Sequence, residues 1–62
     1  MNEFLNTEVR IYPGDTELKC GIVLEILEHG VVFKITRSNS INYKVGTLRY
    51  IAFSASLSFA SL

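Results

Sequence analysis

Between Val9 and Ile35 the chain reads VRIYPGDTELKCGIVLEILEHGVVFKI, a run with no room for a helix. Val9 and Ile11 alternate with polar neighbours as a short strand does. Pro13, Gly14 and Asp15 then supply a turn, because proline presets φ and glycine accepts positive φ. A long apolar strand from Leu18 to Glu28 follows, interrupted only by Gly21, which predicts a bend or bulge. His29 and Gly30 make a tight turn into a third strand carrying Val31, Phe33 and Ile35. Three strands joined by minimal turns predict an all-β fold, a small, strongly bent five-stranded antiparallel barrel. Met1 to Asn6 is expected to be a lead-in with one helical turn that lays Phe4 and Leu5 on the barrel.

The second half extends the pattern. Arg37 to Ser40 is a polar loop, and Ile41, Tyr43 and Val45 alternate against Asn42 and Lys44 as a fourth strand before a turn at Gly46 and Thr47. Leu48, Tyr50 and Ala52 share one parity. The chain then shifts to Phe53, Ala55, Leu57 and Phe59, with Ser54, Ser56 and Ser58 between them, so a final strand is expected with a bulge or bend near Ile51. On the second strand the inward set is expected to be Leu18, Cys20, Ile22, Leu24 and Ile26, with Val23 and Leu27 making the opposite face apolar as well.

A chain of 62 residues is expected to form one domain. A domain of this size buries only about 60% of its unfolded surface and is marginal without help. One cysteine, Cys20, excludes an internal disulfide, and one His with one Cys cannot complete a four-ligand zinc site within the chain. No metal or other cofactor is expected, and Cys20 reads as a small buried hydrophobe. Self-association is the remaining source of stability, and with 48% hydrophobic residues the chain has apolar surface to spare. No apolar run approaches the roughly 20 residues that span a bilayer, and no signal peptide opens the chain, so a soluble cytoplasmic protein is expected, with no membrane partner.

Six basic and six acidic residues give zero net charge, which removes any global attraction for nucleic acid. Contact with phosphate must therefore be local. All the acids lie at or before Glu28, whereas Lys34, Arg37, Lys44 and Arg49 follow it. Subunits built this way could present an acidic and a basic face.

TEVRIYPGDTELKCGIVLEI, from Thr7 to Ile26, resembles the first motif of Sm-like proteins: an alternating strand, a short acidic or amide turn and a bent strand with a central glycine. YKVGTLRYI, from Tyr43 to Ile51, resembles the second motif, where bacterial members carry a Tyr-Lys-His loop whose first two residues are matched by Tyr43 and Lys44. Thr16 stands where the family has a glycine, and Val45 precedes Gly46 as an extra residue. Small barrels of the KOW type share the same strand and glycine grammar. The Sm-like resemblance implies a ring of five to seven identical subunits, closed by the fourth strand of one pairing with the fifth strand of the next. It also implies single-stranded RNA around the pore, held by the turns after the second and fourth strands. Carried over by position, these are Glu28, His29 and Gly30, and Tyr43, Lys44 and Gly46, with Arg49 close behind.

Chemistry agrees with part of this, since bases stack on His and Tyr while Lys meets phosphate. Each residue also has a plainer role: His29 as a solvated turn residue, Tyr43 as core packing, Lys44 and Arg49 as solvated charges. No catalytic signature occurs, so an enzyme is not expected. Two functions remain, a ring that binds single-stranded RNA or DNA and a protein-interaction module that docks a partner by strand addition. Clustering of Lys34, Arg37, Lys44 and Arg49 favours the first, and dispersal the second.

Overall fold

The computed structural model describes residues 2–12 and 17–62, Asn2 by its backbone alone. The turn expected at Pro13 to Asp15 lies outside the described residues, as does Thr16. A 3-10 turn at Asn2–Phe4 precedes five strands: β1 (Glu8–Tyr12), β2 (Lys19–Ile26), β3 (Gly30–Ser38), β4 (Leu48–Ala52) and β5 (Ser58–Ser61). They form one antiparallel sheet in the order β4-β3-β2-β1-β5. The all-β class, the strand number and the helical lead-in are as the sequence predicts. The sheet stays open, however, because among the described residues no ladder joins β4 to β5. Among those residues no helix is long and apolar enough to cross a membrane.

One face of the sheet is the core. Val9 and Ile11 from β1, Val23 from β2, and Val31, Phe33 and Ile35 from β3 are buried together. Phe4, Ile26, Tyr43, Ile51, Leu57 and Phe59 pack against them. Phe33 is the largest fully buried side chain. Phe59 meets it edge-on at 5.4 Å between ring centres, and Phe4 meets Phe59 at 5.9 Å. The lead-in and β5 therefore close over the core from opposite ends of the chain.

Facing on β2 corrects the sequence reading. Gly21 and Val23 turn inward with Val9 and Phe33, their ladder neighbours, while Cys20 and Ile22 pair with Arg10 and Glu8 on the outer face. A bulge then leaves Leu24 without a partner between Val23 and Glu25, and the parity shift returns Ile26 to the core. Unbroken alternation hides such a shift. Cys20 is buried, as expected, but outside the core cluster and between its cross-strand neighbours Arg10 and Arg37.

The expected fourth strand, Ile41 to Val45, is instead part of an irregular connection between β3 and β4. Hydrogen bonds in the loop explain why. The Ser38 hydroxyl accepts from Ser40 N–H, and the Ser40 hydroxyl accepts from Asn42 N–H, so serines satisfy amides that a ladder would otherwise take. Asn39 locks the loop to β2 by accepting Leu18 N–H at 2.7 Å. Gly46, at φ +91°, completes a turn in which Thr47 N–H donates to Lys44 C=O. The continuous strand expected from Phe53 to Phe59 is likewise interrupted, by a turn in which Leu57 N–H donates to Ser54 C=O. Only Ser58–Ser61 then pairs with β1.

Gly30 illustrates how tightly the outer face is built. A Cβ there would lie 2.5 Å from the Tyr50 ring and 2.6 Å from the Ile51 carbonyl oxygen. Backbone cannot yield as a side chain can. Gly30→Ala should therefore cost about 1–3 kcal/mol, the usual penalty for overpacking. A thermal melt checks this, and an unchanged midpoint would contradict the close approach of β4 to β3.

Candidate nucleic-acid interface

Tyr43 is the residue on which the β3–β4 connection converges. Its ring is half-buried against the core. Two cations lie over it, Lys19 with Nζ at 5.1 Å and Arg49 with Cζ at 4.7 Å from the ring centre. Lys19 comes from the start of β2 and Arg49 from β4, so three separate parts of the chain meet. Arg49 is fixed a second time, by donating through a terminal guanidinium nitrogen to Asn42 C=O at 2.5 Å. Lys44, next to Tyr43, is exposed, and its carbonyl accepts from both the amide and the hydroxyl of Thr47. Gly46 N–H donates to Ile35 C=O, which anchors this end of the loop to β3.

His29 and Gly30 lie elsewhere. Gly30 opens β3 with His29 just before it, whereas Gly46 binds at Ile35, five residues beyond Gly30 along that strand. At about 3.3 Å per residue this separates the two groups by roughly 16 Å. The expected site is thus divided within one chain. The structure brings Tyr43, Lys44, Gly46 and Arg49 together and leaves His29 and Gly30 at the opposite end of the sheet. What joins His29 is the turn after β4, through Phe53 N–H donating to His29 C=O at 2.9 Å. His29 and Glu28 are both highly exposed, and their 3.9 Å ion pair is worth little.

The four cations that follow Glu28 also divide. Lys34 lies on the outer face in one cross-strand row with Ile22 and Leu48. Arg37 is tied to Glu8 through Nε at 3.4 Å, and Thr36 donates to the same carboxylate oxygen at 2.6 Å. The register shift that skips Thr36 opposite Cys20 and Gly21 is what lets consecutive residues reach one acid. Lys44 and Arg49 stay with Tyr43. Lys19 is the member of this cluster that sequence reasoning missed. No spacing rule pairs residue 19 with residue 43, although alternation from Leu18 could have placed Lys19 on the face opposite Cys20.

The arrangement can do two things. It concentrates positive charge beside an aromatic ring in a chain of zero net charge. It also sets that charge, carried by β2 and β4, beside a loop that adds exposed Lys44. Comparison with protein-family models, with curated proteins and with solved structures gives no match for this chain.

If Tyr43 is what pins the loop to the core, Tyr43→Ala should speed hydrogen exchange at the Gly46 and Ile35 amides by about tenfold or more. Amides of Val31 and Phe33 should be unaffected. Equal protection in both proteins would show that the serine turns hold the loop without the ring.

Proposed function

We propose that the protein is a non-enzymatic, self-associating module that binds single-stranded nucleic acid, with Lys19, Lys44 and Arg49 around Tyr43 as its contact surface. The observation that carries this reading is the meeting of two cations on Tyr43, with Lys44 adjacent. An electrostatic footprint for phosphate must be local in a neutral chain, and this cluster supplies one. Its surroundings favour it further, because β3, β4 and the loop between them contain no Asp or Glu.

Self-association follows from the two edges. Phe53 and Thr47 bond across to β3, so the alternate residues Leu48, Tyr50 and Ala52 turn their backbone groups to the open side of β4. Leu62 N–H donates to Glu8 C=O, which leaves Phe59 and Ser61 facing the open side of β5. Leu48 is 63% exposed and Leu62 59% exposed beside these edges. Edges of this kind invite pairing with another chain. β4 and β5 hold the fourth and fifth places in chain order that the Sm-like resemblance gives to the ring-closing strands, although the segment expected as the fourth strand, Ile41 to Val45, is a loop. Repetition around a ring would multiply one weak phosphate site into useful affinity, and would set His29 and Gly30 of every copy on the same end of the assembly.

The second reading keeps the edges and discards the nucleic acid, and the separation of Lys34 and Arg37 from Lys44 and Arg49 counts in its favour. Leu48 and Tyr50 on β4, with Ile41 at 98% exposure and Val45 nearby, would equally suit a different protein adding a strand there.

Sedimentation velocity decides the assembly, with a species several times the mass of one chain expected at micromolar concentration. A compact monomer would remove the ring. For binding, Lys44→Glu should weaken association with a short oligouridine by about tenfold or more without lowering the melting temperature. Arg37→Glu is the comparison, since Arg37 is paired with Glu8 on the outer face and its loss should matter less. Equal losses would indicate diffuse attraction. Failure of the unaltered protein to bind any single strand would leave the strand-addition reading.

A further inference from the structure

Tyr43 would be the obvious platform for a stacked base, but its surroundings argue for a different part. The ring packs on the core at one side and carries Lys19 and Arg49 within 5.1 Å of its centre. A base would have to displace a cation to stack there. We infer that Tyr43 instead orients Lys19 and Arg49 for phosphate, so that the site grips the phosphodiester backbone of a single strand and does not read its bases. This inference rests on the single-strand reading proposed above.

The chemistry of the cluster fits that task. The ring's negative face holds both cations, limiting the freedom that long basic side chains otherwise lose on binding. Arg49 spends one donor on Asn42 C=O, and a guanidinium has five, so donors remain for phosphate oxygens. Lys19 adds a compact point charge, and exposed Lys44 a further one. None of these groups is an acceptor, so the cations offer nothing to the N–H donors on the edges of adenine, cytosine or uracil. The ring hydroxyl is the only side-chain group in the cluster that can accept.

The test compares three ligands of equal length with the intact protein: oligouridine, oligothymidylate in the deoxy series, and an abasic deoxyribose-phosphate strand. All three should bind within about threefold of one another, as expected when contacts go to phosphate alone. Lys19→Gln and Arg49→Gln should each weaken all three alike and reduce the log–log salt slope by about 0.7 per occupied site. Tyr43→Phe keeps the ring face and should change nothing, whereas Tyr43→Leu should weaken all three, with circular dichroism confirming the fold of each variant. Binding of either base-bearing strand more than tenfold tighter than the abasic strand overturns the inference while leaving the single-strand reading standing. Failure of all three strands to bind overturns both.

Discussion

Phe33 governs how the sheet bends. It sits near the middle of β3, fully buried, with β2 on one side and β4 on the other. A flat sheet could not cover so large a ring with only five short strands, so its neighbours curl around it. Gly21 is where β2 makes the necessary approach: a Cβ there would lie 2.8 Å from the Lys34 carbonyl oxygen and 3.3 Å from the Phe33 Cβ. Phe59 then covers the ring from β5, which brings the last strand back beside the first. Phe33 is thus packed from segments widely separated in sequence, and in a domain this small a large share of the buried apolar area depends on that one position.

From this constraint the outer face follows. Once Val23 and Phe33 point inward, Cys20, Ile22, Lys34 and Glu8 must point outward, and two of the basic residues on that face find partners on the sheet itself. Arg37 reaches Glu8, and Arg10 lies over Tyr12 at 5.2 Å. Charges beyond the opposite, concave face have no acid from the second half of the chain to meet, since every Asp and Glu lies at or before Glu28. Lys19 and Arg49 converge on an aromatic ring. Folding thus divides the cations that follow Glu28, with Lys34 and Arg37 on the outer face and Arg49 on the opposite one beside Lys19.

How much of this was legible depended on whether a signal was local. Val9 and Ile11, Phe33 and Ile35 could be placed in the core because simple alternation holds in β1 and in the first part of β3. Glycine at 21 announced an irregularity without saying which way the side chains on either side would face. The bulge at Leu24 left no mark, since a leucine is at home on either face of a strand. Ile41, Tyr43 and Val45 alternate as a strand does, yet serine hydroxyls at 38 and 40 and the positive φ of Gly46 commit that segment to turns. For the site, Tyr43, Lys44 and Arg49 are reached through the Sm-like resemblance, and Lys19 is not, because its proximity is created by the β2–β3 ladder. His29 was grouped with Tyr43 only through a strand order in which 41–45 was the fourth strand. With β4 at Leu48–Ala52, the turn that follows it lies beside His29 and the Tyr43 loop lies at the far end of β3.

The open sheet and the small size of the domain are two sides of one problem. A barrel that closed β4 on β5 would satisfy every edge within the chain, but β4 and β5 are each occupied with a different task. β4 holds Tyr50 over Gly30 and carries Arg49 to Tyr43; β5 must lie against β1 to set Phe59 on Phe33. Neither can move to meet the other without losing core. Alternate backbone groups of β4 and β5 lie on their open sides, with Leu48 and Leu62 exposed beside them, and pairing of a second copy there would add stability to a 62-residue domain. The Tyr43 loop is anchored at Ile35 on β3 and also by Arg49 on β4, the strand whose other side is an open edge. β4 thus carries both an open edge, through the backbone of Leu48, Tyr50 and Ala52, and one of the cations held at Tyr43, through Arg49.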